Sequence, residues 1–411
     1  MDNVIILAAG EGTRMKSSTP KVLHKLCGKE IIQRVLETAT ELNPKTIVVV
    51  LKHEMQKVQS FIEALNIPNI KFVEQSDIMG TGQAVKDALQ VIDNKTYTYV
   101  IAGDTPLISG AVLKKMFEAH KDARAKATIL TTQIQNPTGF GRIVRDGKKL
   151  KIVEQTDASK SELEIKEVNT SNYIFDIPTV LEFINNLDTN NSKREVYLTD
   201  IIEFISNEST VETVEAQNPA EVLGVNNRVQ LAELSAYKYF ENAKAHMLNG
   251  VTIVDPKATY IDDNVLIGQD ATILPGCVIS SDVQIGKGAT VGPYSYLRPG
   301  TNLGDGGKIG AFVETKNAKI GKGSKVPHLS YVGDAQIGEN TNIGAGSIFA
   351  NYDGKNKHQT LVGSNCKIGS DTVIVAPKKI GNNVYTGAGT VVLEDIKDGE
   401  KVVSQNKNRK I

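Results

Sequence analysis

The sequence contains little cysteine, and the cysteines it has suggest no pairing. Only three of its 411 residues are cysteines, an odd number without a Cys-x-x-Cys pair, which excludes a disulfide framework and a zinc site built from cysteines. A net charge is also missing, since 47 Lys and Arg residues balance 47 Asp and Glu residues. Nucleic-acid-binding proteins carry a basic footprint, so we expect no nucleic-acid partner.

Long apolar segments are absent as well. No run approaches the roughly 18 residues that span a bilayer. The N-terminus leads directly into Val4–Leu7, without the basic region and longer apolar stretch of a signal peptide. We therefore expect no membrane partner and a cytoplasmic location. At 411 residues the chain is too long for one ordinary domain, and two or three are expected.

Glycine is scarce in the first part of the chain and abundant in the second. Of 35 glycines, 11 lie in residues 1–249 and 24 in residues 250–411. The two parts therefore follow different structural rules. Together with the patterns described next, this predicts a domain over 1–226, a linker helix over 227–249 and a second domain over 250–411.

Residues 1–226 alternate apolar, β-branched runs with helical patterns, which is typical of an α/β fold with a largely parallel sheet. The predicted strands are Val4–Ala8, Thr46–Leu51, Ile70–Val73 and Tyr97–Ala102. The predicted helices are Glu30–Leu42, Glu54–Leu65 and Gly82–Ile92. In such sheets ligands bind beyond the carboxyl ends of the strands.

A glycine-containing loop follows the first predicted strand. Gly10 and Gly12 allow backbone N–H groups to approach phosphates closely, and Arg14 and Lys21 add positive charge suited to a triphosphate. The spacing fits neither the dinucleotide-binding nor the Walker pattern. By itself, a Gly-x-Gly after a strand is as consistent with a tight turn as with a phosphate loop.

The longer string from Leu7 to Met15, followed by Pro20-Lys21, resembles the signature of sugar-phosphate nucleotidyltransferases, which have a Rossmann-like fold. The resemblance implies that Leu7, Ala8, Ala9, Gly10, Arg14 and Lys21 hold the nucleoside triphosphate, with Arg14 and Lys21 catalytic. It implies that Gln75, Gly80 and Thr81 read the base, that Gly141, Glu154 and Asn169 contact the sugar, and that Gly103 and Asp104 form the segment carrying the metal aspartate, with Asn226 as the second metal ligand.

These residue types suit the reaction. Mg²⁺ prefers oxygen ligands, so one carboxylate, one amide oxygen and substrate phosphates form a plausible shell. In the reaction that the resemblance implies, a sugar phosphate oxygen attacks the α-phosphate of the nucleoside triphosphate and pyrophosphate leaves, which requires positioning and charge neutralisation but no protein nucleophile. Alone, Asp104 and Asn226 are better explained as turn or cap residues. Their occurrence together with the loop favours the metal site.

The segment from Val225 to Asn249 contains neither Gly nor Pro, and its apolar residues recur at roughly helical spacing. It is predicted to be one long helix packed on its own protein, although a partner or membrane surface would show the same pattern. Gly250 is expected to end it.

A six-residue period begins at Ile261. The aliphatic positions in register are Ile261, Ile267, Ile273, Ile279, Ile285, Val291, Leu297, Leu303 and Ile309, and a small or β-branched residue follows each by four positions. This predicts a parallel β-helix in which one aliphatic residue per strand points inward and Gly, Asn or Asp forms the corners. Cys277 and Cys366 occupy the small internal position, so we expect them to be packing residues.

The register is interrupted around Thr315–Lys319 and again by an insertion in Phe349–Thr360. Because insertions in a regular prism must loop outward, these segments are candidates for function. The repeat resembles that of left-handed hexapeptide acyltransferases, which are commonly trimers. Over nearly its whole length the chain resembles the bacterial bifunctional N-acetylglucosamine-1-phosphate uridylyltransferase / glucosamine-1-phosphate N-acetyltransferase family.

That resemblance implies an acetyl-transfer site. His328, in Pro-His-Leu-Ser-Tyr, matches the family's base, and a neutral imidazole can take a proton from an attacking amine. Arg298, Lys316, Tyr331 and Asn342 match the sugar-phosphate contacts; Ala345, Asn351, Tyr352, Ser370 and Ala388 match the acetyl-CoA groove; and Lys357 matches a lysine that reaches a neighbouring subunit. Without the resemblance, His328, Arg298 and Lys316 are explained as solvated surface residues.

The expected substrates are glucosamine 1-phosphate, acetyl-CoA, N-acetylglucosamine 1-phosphate and UTP, with Mg²⁺ for uridylyl transfer and a homotrimer built through the β-helix. Two departures are present: the prism is expected to be about two coils shorter than in other members, and Gln405 stands where the family usually has a coenzyme A-binding Arg. A uridylyltransferase with a β-helix that serves only assembly or regulation is the alternative, and a non-catalytic scaffold is a third.

Overall fold

The structure is a computed structural model that describes residues 3–93 and 96–404. The chain divides into two compact units, residues 1–234 and residues 235–411. None of the helices in the described ranges is long and apolar enough to cross a membrane.

The first unit is an α/β domain, as predicted. Its main strands are β1 (Asn3–Leu7), β4 (Thr46–Leu51), β5 (Ile70–Glu74), β6 (Tyr97–Ala102), β7 (Ala127–Gln133), β8 (Arg142–Asp146), β9 (Lys149–Val153), β10 (Glu167–Asp176) and β11 (Val211–Glu215), with a small pair β2 (Lys25–Leu26) and β3 (Lys29–Glu30). Its helices are α1 (Ile31–Thr40), α2 (Met55–Ala64), α3 (Thr81–Ala88), α4 (Gly110–Asp122), α5 (Lys160–Leu163), α6 (Ile177–Phe183) and α7 (Asp200–Glu208). The four predicted strands and three predicted helices are all present, with ends displaced by a few residues.

The order of the sheet brings the predicted ligand loops to one edge. The path runs β11-β7-β10-β6-β1-β4-β5, and β6, β1, β4 and β5 are parallel neighbours. Leu7, the last residue of β1, is in register with Ala102 at the end of β6 and with Val50 of β4. The carboxyl ends of these strands therefore lie side by side, and the segments that follow them converge.

Helix α8 (Arg228–Leu248) follows the sheet and contains most of the predicted linker. Its second half is attached to the first coil of the second unit. Asn242 Nδ2 donates hydrogen bonds to the carbonyl of Ile261 at 2.9 Å and to Asp263 Oδ1 at 3.1 Å. Ala243 is fully buried in the core of that unit, which gives the helix a tertiary reason to form beyond its intrinsic propensity.

The second unit is a parallel β-helix with three faces, and its repeats are those of the left-handed hexapeptide fold. The first face contains β12 (Thr252–Ile253), β15 (Thr272–Ile273), β18 (Thr290–Val291), β21 (Lys308–Ala311), β23 (Lys325–His328), β25 (Asn342–Ile343), β28 (Lys367–Ile368), β31 (Tyr385–Thr386) and β33 (Lys401–Val402). The second contains β13 (Tyr260–Ile261), β16 (Val278–Ile279), β19 (Tyr296–Leu297), β22 (Glu314–Ile320), β24 (Tyr331–Ile337), β26 (Ile348–Ala350), β29 (Val373–Val375) and β32 (Val391–Val392). The third contains β14 (Leu266–Ile267), β17 (Gln284–Ile285), β20 (Asn302–Leu303), β27 (Thr360–Val362), β30 (Lys378–Ile380) and the second halves of β22 and β24.

The predicted aliphatic positions point into the prism. Eight of the nine are buried, and Ile267 is half-buried against the same core. Cys277 and Cys366 are buried at the small internal position, as expected. Burying one aliphatic side chain contributes roughly 1.5–3 kcal/mol to the stability of the fold. Because neighbouring coils provide this burial, each coil depends on its neighbours for its stability.

The interruptions of the period have a simple geometric cause. Regular coils repeat at a constant spacing, as in the pairings of Val278 with Tyr296 and of Tyr296 with Glu314. Glu314 pairs with Tyr331, which is closer in the sequence than this spacing, whereas the partner of Ile348 is the more distant Val373. The register slips because one corner residue is missing in some coils and a hairpin is inserted in another.

The prediction for the corners was incomplete. Most corners with a left-handed backbone carry Gly, Asn or Asp, but Tyr294, Phe312 and Leu329 adopt φ values of 54°, 55° and 50° at successive corners of one edge. All three side chains are more than half exposed. The rings of Tyr294 and Phe312 stack with centroids 5.5 Å apart, a contact that offsets part of the backbone cost.

Candidate active sites

The glycine-containing loop places Lys21 beneath it. Gly12 has φ 65°, and a Cβ at this position would lie 2.6 Å from the Cβ of Lys21. Glycine is therefore required both for the backbone conformation and for the close passage of the lysine. A Cβ at Gly10 would meet open space, so packing alone does not require glycine there, whereas close approach of a phosphate would.

The predicted cations and metal ligands form one cluster. The ammonium group of Lys21 contacts Asp104 Oδ2 and lies 3.4 Å from Asn226 Oδ1. A guanidinium N–H of Arg14 donates to the same Asn226 oxygen at 2.9 Å. These residues follow β1 and β6 or precede α8, and the N–H of Val225 donates to the carbonyl of Asp104 at 2.8 Å. The structure thus brings together four residues that are up to 212 positions apart.

The oxygens of Asp104 and Asn226 are suited to a magnesium ion. They converge on a point at which a cationic group, the Lys21 ammonium, already lies, and one carboxylate plus one amide oxygen is a donor set that Mg²⁺ accepts when substrate phosphates and water complete its shell. Among residues 3–93 and 96–404, no cluster of three or more His, Cys, Asp or Glu side chains suits a metal. Substrate oxygens would therefore have to supply the other ligands.

Two adjoining cavities meet at this cluster. One of about 440 Å³ extends along the glycine loop, and one of about 310 Å³ extends towards β8 and β10. Arg14, Asp104 and Asn226 line both. A ligand that spans the two would place its central atoms beside the cations and the metal ligands.

The larger cavity contains the predicted base-reading segment. Gln75 is buried and donates from Nε2 to the carbonyls of Ile78 and Gly80, at 3.1 and 3.0 Å. Gly80 has φ 119°, and a Cβ there would lie 2.2 Å from the carbonyl oxygen of Val196. Thr81 Oγ1 accepts a hydrogen bond from the N–H of Leu198 at 3.1 Å. The base-reading segment is therefore fixed to a segment that is distant in the sequence.

The smaller cavity contains the predicted sugar contacts Gly141, Glu154 and Asn169. A Cβ at Gly141 would lie 3.3 Å from Glu154 Oε1. Burial raises the pKa of Glu154 above its usual range, and the positive charge of Lys193 opposes this rise. Asn169 donates from Nδ2 to the hydroxyl of Tyr173 at 2.7 Å. The wall is therefore polar and pre-ordered, as carbohydrate recognition requires.

Two predicted residues lie behind the wall. Neither Ala8 nor Gly103 lines a cavity described above. The N–H of Ala8 donates to Val50 at 3.0 Å, and the N–H of Gly103 donates to Leu7 at 2.9 Å. A Cβ at Gly103 would lie 2.8 Å from the carbonyl oxygen of Leu7, so this glycine is explained by strand packing.

Sequence reasoning missed a segment that lines the cavities. Lys193, Tyr197 and Thr199 line the smaller cavity, and Glu195 lines both. No glycine or motif marks this segment. The signal in the sequence was the charged residues of this segment, which give only a weak indication of a role at a cavity. Its position depends on backbone hydrogen bonds from Val196 to Met79 and from Gly82 to Val196, at 2.8 and 2.9 Å.

In the second unit, His328 and three of the five predicted acetyl-CoA residues share one edge of the prism, which we call the histidine edge. It consists of the corners that follow β23, β25, β28 and β31, and its predicted members are His328, Ala345, Ser370 and Ala388. The corners are joined coil to coil: the N–H of Gly346 donates to His328 at 3.3 Å and that of Asp371 to Ala345 at 2.7 Å. His328 is exposed. Gln405 lies outside the described residues.

A basic cluster occupies the next edge, on the far side of the face that carries Tyr331. Arg298 donates to Glu314 Oε1 at 2.8 Å, and this contact raises the pKa of Arg298. The pKa of Lys316 is lowered, first by the close approach of the Lys357 amino group and then by the repulsion of the Lys357 charge. Two ammonium groups this close, with Arg298 adding to the repulsion, form a site that an anion would stabilise.

The insertion that breaks the repeat is an ordered hairpin. Tyr352 and Lys357 form an antiparallel bridge, and Asp353 accepts hydrogen bonds from the N–H groups of Lys355 and Asn356, at 2.8 and 2.6 Å. The resemblance assigned Lys357 to a neighbouring subunit, whereas within this chain the hairpin places it against Lys316. Asn351, at the base of the hairpin, donates from Nδ2 to Asp334 Oδ2.

Glu314 was also missed. It lies in register with Tyr296 and Tyr331 on the face between the two edges, and it pairs with Arg298. The sequence signal that could have identified Glu314 is its negative charge, nearly one coil after the positive charge of Arg298.

Asn342 lies on the first face, in register with Lys325 and exposed. A shallow cavity of about 720 Å³ lies on the third face, and none of the predicted acetyl-transfer residues lines it.

Comparison with known families supports the division into two activities. Residues 4–157 match the model of a MobA-like NTP transferase domain, and residues 359–394 match that of the hexapeptide repeat of succinyl-transferase. The first range contains the glycine loop, Asp104 and Glu154. The second contains Ser370 and Ala388 on the histidine edge.

Two relatives that match this chain over nearly its whole length are both described as bifunctional protein GlmU. The bifunctional protein GlmU of Bifidobacterium animalis subsp. lactis (strain AD011) is 43% identical over 441 aligned positions, which cover 98% of this chain and 96% of that protein. The bifunctional protein GlmU of Mycobacterium tuberculosis (strain ATCC 25177 / H37Ra) is 44% identical over 449 positions, covering 99% and 91%. Both alignments are longer than this chain, so these relatives contain segments with no counterpart here.

Proposed function

The chain belongs to the bifunctional GlmU family, and from that premise we propose which of its residues carry out the two reactions. It is a transferase with two activities, glucosamine-1-phosphate N-acetyltransferase and N-acetylglucosamine-1-phosphate uridylyltransferase, which together yield UDP-N-acetylglucosamine. The proposed assignment places uridylyl transfer in residues 1–226 and acetyl transfer in residues 250–411, with 227–249 as the linker helix. The observation that carries it is the presence of two separate clusters of cationic and polar side chains, one in each unit.

In uridylyl transfer, the larger cavity takes UTP and the smaller one takes the sugar. Gln75 and the Gly80 segment hold the base, and Gly141, Glu154 and Asn169 hold the sugar hydroxyl and acetamido groups. A phosphate oxygen of N-acetylglucosamine 1-phosphate attacks the α-phosphorus of UTP, and the bond to the β-phosphate breaks. Arg14 and Lys21 neutralise the charge that develops on the phosphate oxygens.

Uridylyl transfer uses Mg²⁺, and Asp104 and Asn226 would hold the ion. When bound, the ion neutralises phosphate charge and orients the triphosphate for in-line attack. Lys21 must leave Asp104 before that carboxylate is available, and it is then free to approach a phosphate. Neither residue needs to act as a nucleophile.

In acetyl transfer, Arg298 and Lys316 bind the phosphate of glucosamine 1-phosphate, and Tyr331, Asn342 and Asn351 contact the sugar. The histidine edge takes acetyl-CoA, with Tyr352 of the hairpin as a further contact. The amine nitrogen attacks the thioester carbonyl carbon, the carbon–sulfur bond breaks, and His328 accepts the amine proton and returns it to the coenzyme A thiolate.

The β-helix suggests oligomerisation, and we propose a homotrimer in which Lys357 reaches a neighbouring site. Co-expression of His328→Ala with Lys357→Met chains tests this. If Lys357 serves a neighbour, mixed trimers regain acetyl transfer, because the Lys357→Met chain keeps His328 and receives a lysine from its partner. If no activity returns in trimers of verified mixed composition, Lys357 acts in its own chain.

The proposed location is the cytoplasm, where UTP and acetyl-CoA are available.

The proposed function is tested by asking whether acetyl transfer must precede uridylyl transfer. Wild-type protein is incubated with glucosamine 1-phosphate, UTP and Mg²⁺, with and without acetyl-CoA, and free thiol and pyrophosphate are measured. We expect pyrophosphate only when acetyl-CoA is present, because the polar wall at Glu154 and Asn169 is assigned to the acetylated sugar. Equal pyrophosphate release without acetyl-CoA would overturn that assignment.

A further inference from the structure

A buried arginine lies directly behind the wall of the smaller cavity. Arg142, the first residue of β8, has only 2% of its surface exposed, and burial lowers the pKa of its guanidinium. Burying a charged group is unfavourable unless it forms good hydrogen bonds. Arg142 is absent from the lining of the cavity, so any effect of Arg142 on a ligand must pass through the groups that accept its hydrogen bonds.

The guanidinium joins two segments of that wall. One N–H donates to the backbone carbonyl of Phe140, and another donates to Gln155 Oε1 at 2.8 Å. The same Gln155 oxygen accepts the N–H of Gly139 at 3.1 Å. Arg142 and Gln155 therefore tie the loop at 139–141 to the residue that follows Glu154.

The segments tied in this way both contribute to the cavity. Gly139, Phe140 and Gly141 line it on one side and Glu154 on the other. The carbonyl of Gly141 also accepts the N–H of Asn169 at 2.9 Å. Gly139 has φ 90°, a conformation that glycine adopts readily and other residues rarely do, so the flexible glycine gains order from its hydrogen bond to Gln155. Fixing the loop before the sugar arrives avoids an ordering cost during binding.

We propose that Arg142 is a positioning residue for uridylyl transfer, which sets the sugar-binding wall through Phe140 and Gln155 without touching the substrate. The proposal rests on the proposed function, because it takes the smaller cavity to be the sugar phosphate site. It also assigns a role to Gln155, which no sequence motif singled out. The Nε of Arg142 is buried without a partner among the described residues, so the guanidinium is held by its terminal N–H groups, which donate to Phe140, to Gln155 and, at 3.5 Å, to the carbonyl of Leu163.

The test separates the two substrates. Steady-state kinetics are measured for Arg142→Lys, which keeps the charge but cannot reach both acceptors with a planar fork. We expect the KM for N-acetylglucosamine 1-phosphate to rise about tenfold, corresponding to about 1.4 kcal/mol, and the KM for UTP to change less than twofold. Arg145→Lys is the matched control, since Arg145 lies on the same strand but is exposed and paired with Glu167.

Variants of Gln155 protect the test against a folding failure. Gln155→Glu keeps an oxygen acceptor for both donors and is expected to retain a near-normal sugar KM, whereas Gln155→Leu is expected to reproduce the defect. Hydrogen exchange should show faster exchange in peptides covering 139–141 for Arg142→Lys and Gln155→Leu, but not for Arg145→Lys. These readouts separate positioning of the loop from general loss of structure.

Two results would overturn the proposal. One is a folded Arg142→Lys protein with an unchanged sugar KM and unchanged exchange at 139–141; the other is an equal rise of both KM values. If wild-type protein releases no pyrophosphate from UTP and N-acetylglucosamine 1-phosphate, the proposed function fails instead.

Discussion

The ammonium group of Lys21 contacts the carboxylate of Asp104 and lies 3.4 Å from the amide oxygen of Asn226. It is therefore in contact with both oxygens assigned to the magnesium ion. Both side chains of the ion pair are largely buried, so the contact is stronger than an exposed pair. A divalent cation and Lys21 must compete for this position, and nucleotide phosphates that attract Lys21 should favour the cation.

Replacing Lys21 with Met should therefore tighten metal binding in the absence of nucleotide. We expect Mn²⁺ affinity, measured by titration calorimetry or electron paramagnetic resonance, to rise about tenfold, or about 1.4 kcal/mol. Lys16→Met removes an exposed charge from the same loop and serves as the control. Unchanged or weaker Mn²⁺ binding by the Lys21 variant would show that the two cations do not compete.

His328→Ala should abolish most of the acetyl transfer while leaving the fold intact. General base catalysis typically contributes about 10²–10⁴-fold, so kcat for thiol release is expected to fall by that factor. His53→Ala replaces an exposed histidine of the other unit and should have no effect. If His328→Ala retains more than a tenth of the wild-type rate, another group takes the proton.

Lys316→Met should weaken binding of the sugar phosphate rather than of the coenzyme. A hydrogen bond to a charged group contributes about 1.5–3 kcal/mol, so we expect at least a tenfold rise in the KM for glucosamine 1-phosphate and little change for acetyl-CoA. Lys319→Met, on the same strand, is the matched control. A rise in the KM for acetyl-CoA alone would contradict the assignment of Lys316 to the phosphate of the sugar.

Asp200 provides a test that depends on pH. Burial and the nearby Asp188, Glu203 and Asp157 raise its pKa to about 6. A carboxyl whose pKa is higher when folded binds its proton more tightly in that state, so its ionisation destabilises the fold as pH rises through about 4 to 6. Asp200→Asn should raise the melting temperature at pH 7.5 by about 2 °C, after allowance for solvent screening.

The gain from Asp200→Asn should shrink as the pH falls from about 6 to about 4 and disappear below about pH 3, where Asp200 is protonated in both folded and unfolded states. Glu182→Gln removes an exposed carboxylate and should show no such change between pH 7.5 and pH 5. A melting temperature gain for Asp200→Asn that is constant from pH 4 to pH 7.5 would contradict the account.

The architecture could be predicted well from the sequence because both units have strongly periodic patterns. Continuous apolar runs such as Thr46–Leu51 are buried strands with the predicted ends, and the six-residue register identifies the inward positions. The slip after Val332 could be recognised but not explained. Its cause, the presence of coils shorter and longer than the regular repeat, is visible only when strand partners are known.

The candidate sites could be predicted only where a local motif marked them. The loop at Gly10–Lys21 and the strand end at Asp104 carry such motifs. Glu195 reaches the cavities because Val196 is hydrogen-bonded to the segment around Gly80, a relationship between segments that are far apart in the sequence. Arg142 directly follows Gly141, which was predicted to contact the sugar, but the role proposed for Arg142 depends on Gln155, which no local pattern connects to it.

The measurement that tests the central claim most directly is a crossed assay of two variants. Wild type, Asp104→Ala and His328→Ala are each assayed for thiol release with glucosamine 1-phosphate and acetyl-CoA, and for pyrophosphate release with UTP and N-acetylglucosamine 1-phosphate. We predict that Asp104→Ala loses only pyrophosphate release and that His328→Ala loses only thiol release. The account would be contradicted if wild type released pyrophosphate but no thiol, or if either variant lost both activities while remaining folded.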